Sequence, residues 1–201
     1  MSLIIPINLA VEDLLSEAVI IKILNSSGRN YKIGDCYGRR GKSYLKKICA
    51  GLNKASRGST YFLLTDLNSC ECPPALINKW LPHGKNHNFI FRVASREIEA
   101  WVLAHREAFA SFVGVNLNFI PQSPDSLPDP KRSLLEIVSK SKRNRLKSAI
   151  LPLPQSTAKV GPDYNGTLSK FVREEWDCNE ARRYSLSLYK TMQILNTFNP
   201  K

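Results

Sequence analysis

Apolar positions in the first half of the chain alternate between strand-like runs and helical spacing. Ile4-Ile5-Pro6-Ile7-Asn8-Leu9-Ala10-Val11 is an apolar run of strand length that stops at Glu12-Asp13. Leu14, Leu15, Ala18, Val19, Ile21, Ile23 and Leu24 then predict a broadly apolar helix ending near Ser27-Gly28. Tyr31-Lys32-Ile33 predicts a short strand. Ser43 to Asn53 predicts an amphipathic helix with Leu45, Ile48, Cys49 and Leu52 on one face and Lys46 and Lys47 on the other. Tyr61-Phe62-Leu63-Leu64-Thr65 predicts a strand running into Asp66-Leu67-Asn68, followed by a helix through Ala75 to Trp80. Asn88-Phe89-Ile90-Phe91-Arg92-Val93 predicts another. A helix from about Arg96 to Phe112 follows it, carrying Ile98, Trp101, Val102, His105 and Phe109 along one side. Strands alternating with helices imply βαβ units and an α/β fold with a largely parallel sheet flanked by helices.

The pattern changes at Pro121. Four prolines between Pro121 and Pro130 predict an extended connector. Helical stretches follow near Lys131 to Ser139, Gly166 to Trp176 and Ser187 to Thr197, with an irregular segment from Leu151 to Asn165 among them. The expected organisation is an α/β core over residues 1–120, with a connector and an α-rich C-terminal portion over residues 121–201 packed against it.

Charge alters this otherwise ordinary globular picture. The chain has 201 residues, with 29 Lys and Arg against 17 Asp and Glu. No acid lies between Asp35 and Asp66, where seven bases do: Arg39, Arg40, Lys42, Lys46, Lys47, Lys54 and Arg57. A second cluster holds Lys131, Arg132, Lys140, Lys142, Arg143, Arg145 and Lys147, with Glu136 as its only acid. Clustered positive charge of this kind is the footprint of a nucleic-acid binder; a solvated surface or an acidic protein partner is the competing reading. No apolar run approaches the roughly 18 residues of a membrane span, and the N-terminus has no secretory pattern. Five cysteines in no scaffold-like arrangement fit reduced thiols in the cytoplasm.

The candidate chemistry lies where strands end, because open α/β sheets bind ligands at the carboxyl ends of their strands. Carboxylates gathered there are hard oxygen ligands for Mg²⁺ or Mn²⁺. Glu12 is the first candidate; Asp13 beside it suits a helix N-cap, and Glu17 a solvated surface. Asp66 and Asn68, alternate residues past a strand, are expected to point the same way and to share one cation. A plain turn is the competing reading. Glu97 and Glu99 lie about 200° apart on a regular helix, so one is expected at the site and the other on a base such as Arg96. Arg39-Arg40-Gly41-Lys42-Ser43 resembles a phosphate-holding turn without the spacing of a P-loop, and Lys46 extends its charge. No organic-cofactor signature is present. Cys70-Glu71-Cys72, His83, His87 and His105 form no metal motif, and His105 is expected at the core edge of its helix.

Several stretches together resemble a bacterial TOPRIM-like family of largely uncharacterised proteins related to an AbiL-type abortive-infection component. They are Val11 to Glu17, Arg40 to Lys46, Leu64-Thr65-Asp66-Leu67-Asn68, Arg92 to Trp101, Asp129-Pro130-Lys131 and Val160 to Asn165. The resemblance implies a Rossmann-like TOPRIM fold, an acid–base glutamate at Glu12, a Mg²⁺-holding acid at Asp66, and a neighbouring AAA ATPase in phage-defence islands. Asn68 departs from the second aspartate of the TOPRIM pair; its carbonyl oxygen can ligate but brings no charge. The expectation is a Mg²⁺-dependent nuclease or phosphodiesterase in phage defence, with Glu12 and Asp66 catalytic and Arg39, Arg40, Lys42 and Lys46 on the nucleic acid. A catalytically silent nucleic-acid-binding or sensor subunit is the alternative, and a protein-interaction module a third.

Overall fold

Four apolar runs become the strands of one all-parallel sheet in the structure, a computed structural model that describes residues 3–201. In chain order β1 (Ile4–Val11), α1 (Leu14–Ser26), β2 (Asn30–Gly38), α2 (Gly41–Ala55), β3 (Thr60–Asp66), α3 (Pro73–Trp80) and β4 (Phe89–Ala94) make an α/β, Rossmann-like core. Strand order is β2-β1-β3-β4. Each pair is parallel, with Leu9 opposite Phe62, Phe62 opposite Ile90, and Asp66 opposite Ala94. The chain thus leaves β1 towards one edge and returns to the other side for β3, which puts the topological switch point between β1 and β3.

Both faces of the sheet are covered, so the strands read as apolar runs rather than alternating ones. Ile5, Ile7, Leu9 and Val11 of β1, Phe62 and Leu64 of β3, and Ile90 of β4 belong to the larger core. Ala10, Leu63, Phe91 and Val93 pack on the opposite face against Leu45, Cys49 and Leu52 of α2 and Leu76 and Trp80 of α3.

The remaining helices are α4 (Glu99–Ala104), α5 (Arg106–Val113), α6 (Pro130–Ser139), α7 (Asn144–Ile150), α8 (Tyr164–Glu174), α9 (Cys178–Ala181) and α10 (Leu186–Thr197). Residues of all seven join α1 in the larger core, which therefore spans both portions of the chain without a break. Trp176 Nε1 donates to the Trp101 carbonyl at 3.0 Å in its centre. Helix α10 lies against β4, where Arg92 Nε donates to Thr191 Oγ1, and reaches β2, where Tyr31 Oη donates to the Leu195 carbonyl.

Several expectations are corrected. The short strand at Tyr31 to Ile33 extends over nine residues. The helix expected from Arg96 to Phe112 begins only at Glu99 and breaks at His105, whose φ of −83° and ψ of 73° are not helical. His105 is thus a junction residue, and its Nδ1 accepts from the Asp177 backbone N–H at the head of α9. Helices α7 and α9 lie outside the expected stretches; both are short, and their apolar positions are too few to set a period. The proline-rich connector contains a 3-10 turn at Pro124–Ser126. Among the described residues all five cysteines are free, and no helix is long and apolar enough to cross a membrane.

Candidate functional site

The carboxyl ends of β1, β3 and β4 open onto one end of the sheet, and the expected acids lie there. Glu12 follows the last residue of β1 and Asp66 is the last residue of β3, so the two flank the switch point. Glu12 is held across the gap: its Oε1 accepts from the Asp66 backbone N–H at 2.9 Å and from the Thr65 hydroxyl. Asp13 caps α1, its Oδ1 accepting from the Ser16 N–H at 2.8 Å.

Asp66 keeps the strand parity of Phe62 and Leu64, which face the larger core, and so meets groups from α4 and α6. Burial raises its carboxyl well above the usual range, and the charges of Glu99, Glu12 and Asp13 push it further up; Lys131 partly opposes them.

Glu99 is the most deeply buried acid, with a side chain that is 0% exposed. Its Oε1 accepts from Tyr164 Oη at 2.7 Å and lies 3.3 Å from Lys131 Nζ. Its Oε2 is buried with no hydrogen-bond partner, one of two such side-chain atoms among the described residues. Burial raises the Glu99 pKa, while Lys131 and the Tyr164 hydroxyl draw it back. Burial alone would lower the Lys131 ammonium, but Glu99, Glu97 and Asp66 more than reverse that and leave it above its ordinary value. Tyr164 is pushed well up by burial and then by the Glu99 charge.

Glu97 lies in the turn before α4, so helical geometry does not separate it from Glu99. Its Oε2 accepts the Lys131 backbone N–H at 2.9 Å, which brings both glutamates to one residue. The expectation that one of them pairs with Arg96 is corrected: Arg96 Nη1 donates to the carbonyls of Asn68 and Cys70.

The strand alternation expected to align Asn68 with Asp66 does not persist beyond β3. Asn68 has a φ of +51° and is exposed, and its N–H donates to the Arg96 carbonyl at 2.7 Å. It lines a hollow of about 470 Å³ with Ser69, Arg96, Glu97 and Asp129, a lining that includes neither Asp66 nor Glu99. Arg39 and Arg96 are also left-handed, with φ of 60° each. Three non-glycine residues in that region sit just past β2, β3 and β4, all at the acidic end of the sheet. Backbone strain of this kind concentrates at binding and catalytic sites.

The phosphate-holding turn is only partly available to a ligand. Arg39 forms a two-pronged pair with Glu17 at 2.5 and 2.6 Å, so Glu17 is not the solvated residue its position suggested. Arg40 lies over the Tyr44 ring at 5.2 Å. Lys42 Nζ donates to the carbonyls of Asp66 and Leu67, tying the head of α2 to the end of β3. Lys46 is exposed. Lys131, counted with the second basic cluster in the sequence, turns inward to the acids.

The donor set suits a hard divalent cation. Lys131 links Glu97 and Glu99 through its backbone N–H and its ammonium, the charge of Glu99 reaches Asp66, and the orphaned Glu99 Oε2 is a buried acceptor without a donor. As they stand, no three acid, His or Cys side chains among the described residues are close enough together to hold a metal, and the ammonium of Lys131 supplies the local positive charge. In comparisons with family models, with curated proteins and with solved structures, the chain matches none.

Proposed function

We propose that this protein is a TOPRIM-like, Mg²⁺- or Mn²⁺-dependent nuclease or phosphodiesterase. The observation that carries this reading is the set of acids at the carboxyl ends of a parallel sheet's strands, flanking its switch point, with Glu99 Oε2 buried and unpartnered and burial holding Asp66 above the usual carboxylate range. Asp66, Glu99 and Glu97 are the residues that would hold the cation, with Asn68 on the rim. A bound Mg²⁺ or Mn²⁺ would supply Lewis acidity at a phosphoryl oxygen and ease ionisation of a water. Glu12, oriented by Thr65 and the Asp66 amide, would serve as a further metal ligand or take a proton from an attacking water. Lys131 favours the charged form of Glu99 against its burial, and Tyr164 donates to that carboxyl's Oε1. The nucleic-acid substrate fits the net charge of +12. The AAA ATPase partner, the phage-defence role and the cytoplasmic setting rest on the sequence resemblance.

A second reading, the catalytically silent binding or sensor subunit, draws on a specific feature: Lys131 already places a cation among the acids, and Asn68 brings none. Calorimetric titration with Mg²⁺ and Mn²⁺, on the wild type and on Asp66→Ala, separates the two. Binding that vanishes in the variant supports the enzyme and directs a cleavage screen on DNA and RNA. A wild type that binds neither metal, with or without nucleic acid, sinks the enzyme reading and leaves the silent subunit.

A further inference from the structure

A second hollow, of about 400 Å³, adjoins the acidic one across Ser69, which lines both. It lies between α2 and α3 and is bounded by Lys42, Ser43, Lys46, Ser69, Lys79 and Trp80, with no carboxylate in its lining. We propose that this hollow is a phosphate subsite that seats a backbone phosphate of the nucleic-acid strand beside the acid cluster. It rests on the nuclease reading for the source of that phosphate.

The positions follow from the fold. Lys42 and Lys46 are four apart on α2 and so share a face. Lys79 comes to the opposite wall from the last turn of α3. Lys42 Nζ spends two donors on the carbonyls of Asp66 and Leu67, and an ammonium has three. The first turn of α2 holds no acid and no side chain caps its amides, so its positive end is not offset. Ser43 and Ser69 add exposed hydroxyls, and no acid occurs from Cys36 to Thr65.

The nuclease reading gives such a subsite a use. Acids that collect a cation also repel a polyanion, so a strand held there gains from cations one step along its backbone. The neighbouring hollow brings Glu97 and Asp129 beside Arg96, the other brings Lys42, Lys46 and Lys79 with no carboxylate, and the turn from Leu67 to Cys70 runs between them. This differs from the sequence expectation, which placed Arg39 and Arg40 on the strand; Lys79, from a separate helix, completes the lining instead.

The test is fluorescence anisotropy with a labelled single-stranded DNA oligonucleotide in EDTA, over about 50 to 200 mM salt. Each phosphate contact contributes about 0.7 to the salt slope for single strands, about fivefold in affinity at 0.1 M salt. Lys46→Gln/Lys79→Gln, two exposed positions, is expected to lower affinity about 25-fold and the slope by about 1.4. Lys142→Gln/Lys147→Gln on the far basic cluster is the control and is expected to change neither comparably. A fluorescent ATP analogue is the second probe. Wild-type binding of the oligonucleotide with no loss in the Lys46/Lys79 variant overturns the subsite while leaving the nuclease reading standing. Equal losses in variant and control also overturn it, because binding is then spread over surface charge. A wild type that ignores the oligonucleotide but binds the ATP analogue through Lys46 and Lys79 keeps the phosphate chemistry, assigns it to free nucleotide, and overturns the nucleic-acid source. Binding of neither probe overturns both.

Discussion

Replacing Lys131 with methionine tests whether its ammonium compensates a buried acid. Methionine keeps most of the stem and deletes the charge. Glu99 would then be a carboxylate with a fully buried side chain, one hydrogen bond from Tyr164 and an orphaned Oε2. Removing one member of a buried ion pair costs about 3–5 kcal/mol. The Lys131 side chain is 34% exposed, so water screens part of the interaction and about 2–3 kcal/mol is expected. For a chain of this size that lowers Tm by roughly 4–12 °C. Urea unfolding followed by circular dichroism measures the loss, and Lys131→Met/Glu99→Gln should recover at least half of it by removing the stranded charge. The pH dependence follows from the raised Glu99 pKa. A carboxyl whose folded pKa lies above its unfolded value favours the fold while protonated, and that contribution disappears as pH rises through the folded value. The Lys131→Met loss should therefore be largest at neutral and alkaline pH and shrink on acidification. Equal stability of single and double variants, or a loss that grows towards acid, would refute the reasoning.

Asp66→Asn replaces a carboxyl whose ionised form burial, Glu99, Glu12 and Asp13 all disfavour, so it should stabilise the apo protein at neutral pH by about 0.5–2 kcal/mol in thermal melts while abolishing metal binding. Because Asp66 must lose its proton to ligate, Mg²⁺ affinity should rise with pH and binding should release protons, measured by calorimetry in buffers of different ionisation enthalpy. An affinity independent of pH would remove Asp66 from the ligand set. Gly161→Ala would set a Cβ 2.3 Å from the Ala149 carbonyl oxygen and 2.7 Å from that of Leu151, at the turn that delivers Tyr164 to Glu99. A loss of about 1–3 kcal/mol by urea unfolding is expected; a neutral substitution would show that the α7–α8 turn moves aside readily.

The sequence by itself determined the sheet and the first two acids. Apolar runs of strand length stop at Glu12 and Asp66 because a strand buried on both faces can admit a carboxylate only where it emerges, and that stop is visible in one dimension. The capping role of Asp13 was equally local. Strand alternation does not reach Asn68, because the chain enters a left-handed turn after Asp66, and helical spacing does not govern Glu97, because the helix starts two residues later. Lys131 and Tyr164 were beyond local reasoning. They lie 65 and 98 residues after Asp66, and the charge of Lys131 reads as surface until packing shows what it faces. Only the tertiary structure decided that α6 and α8 deliver them to Glu99, because the larger core fixes those helices against α4 and α1. Strand order was decided there too, and with it the switch point between β1 and β3. Hydrophobic periodicity records which face of an element is buried, not which neighbour buries it.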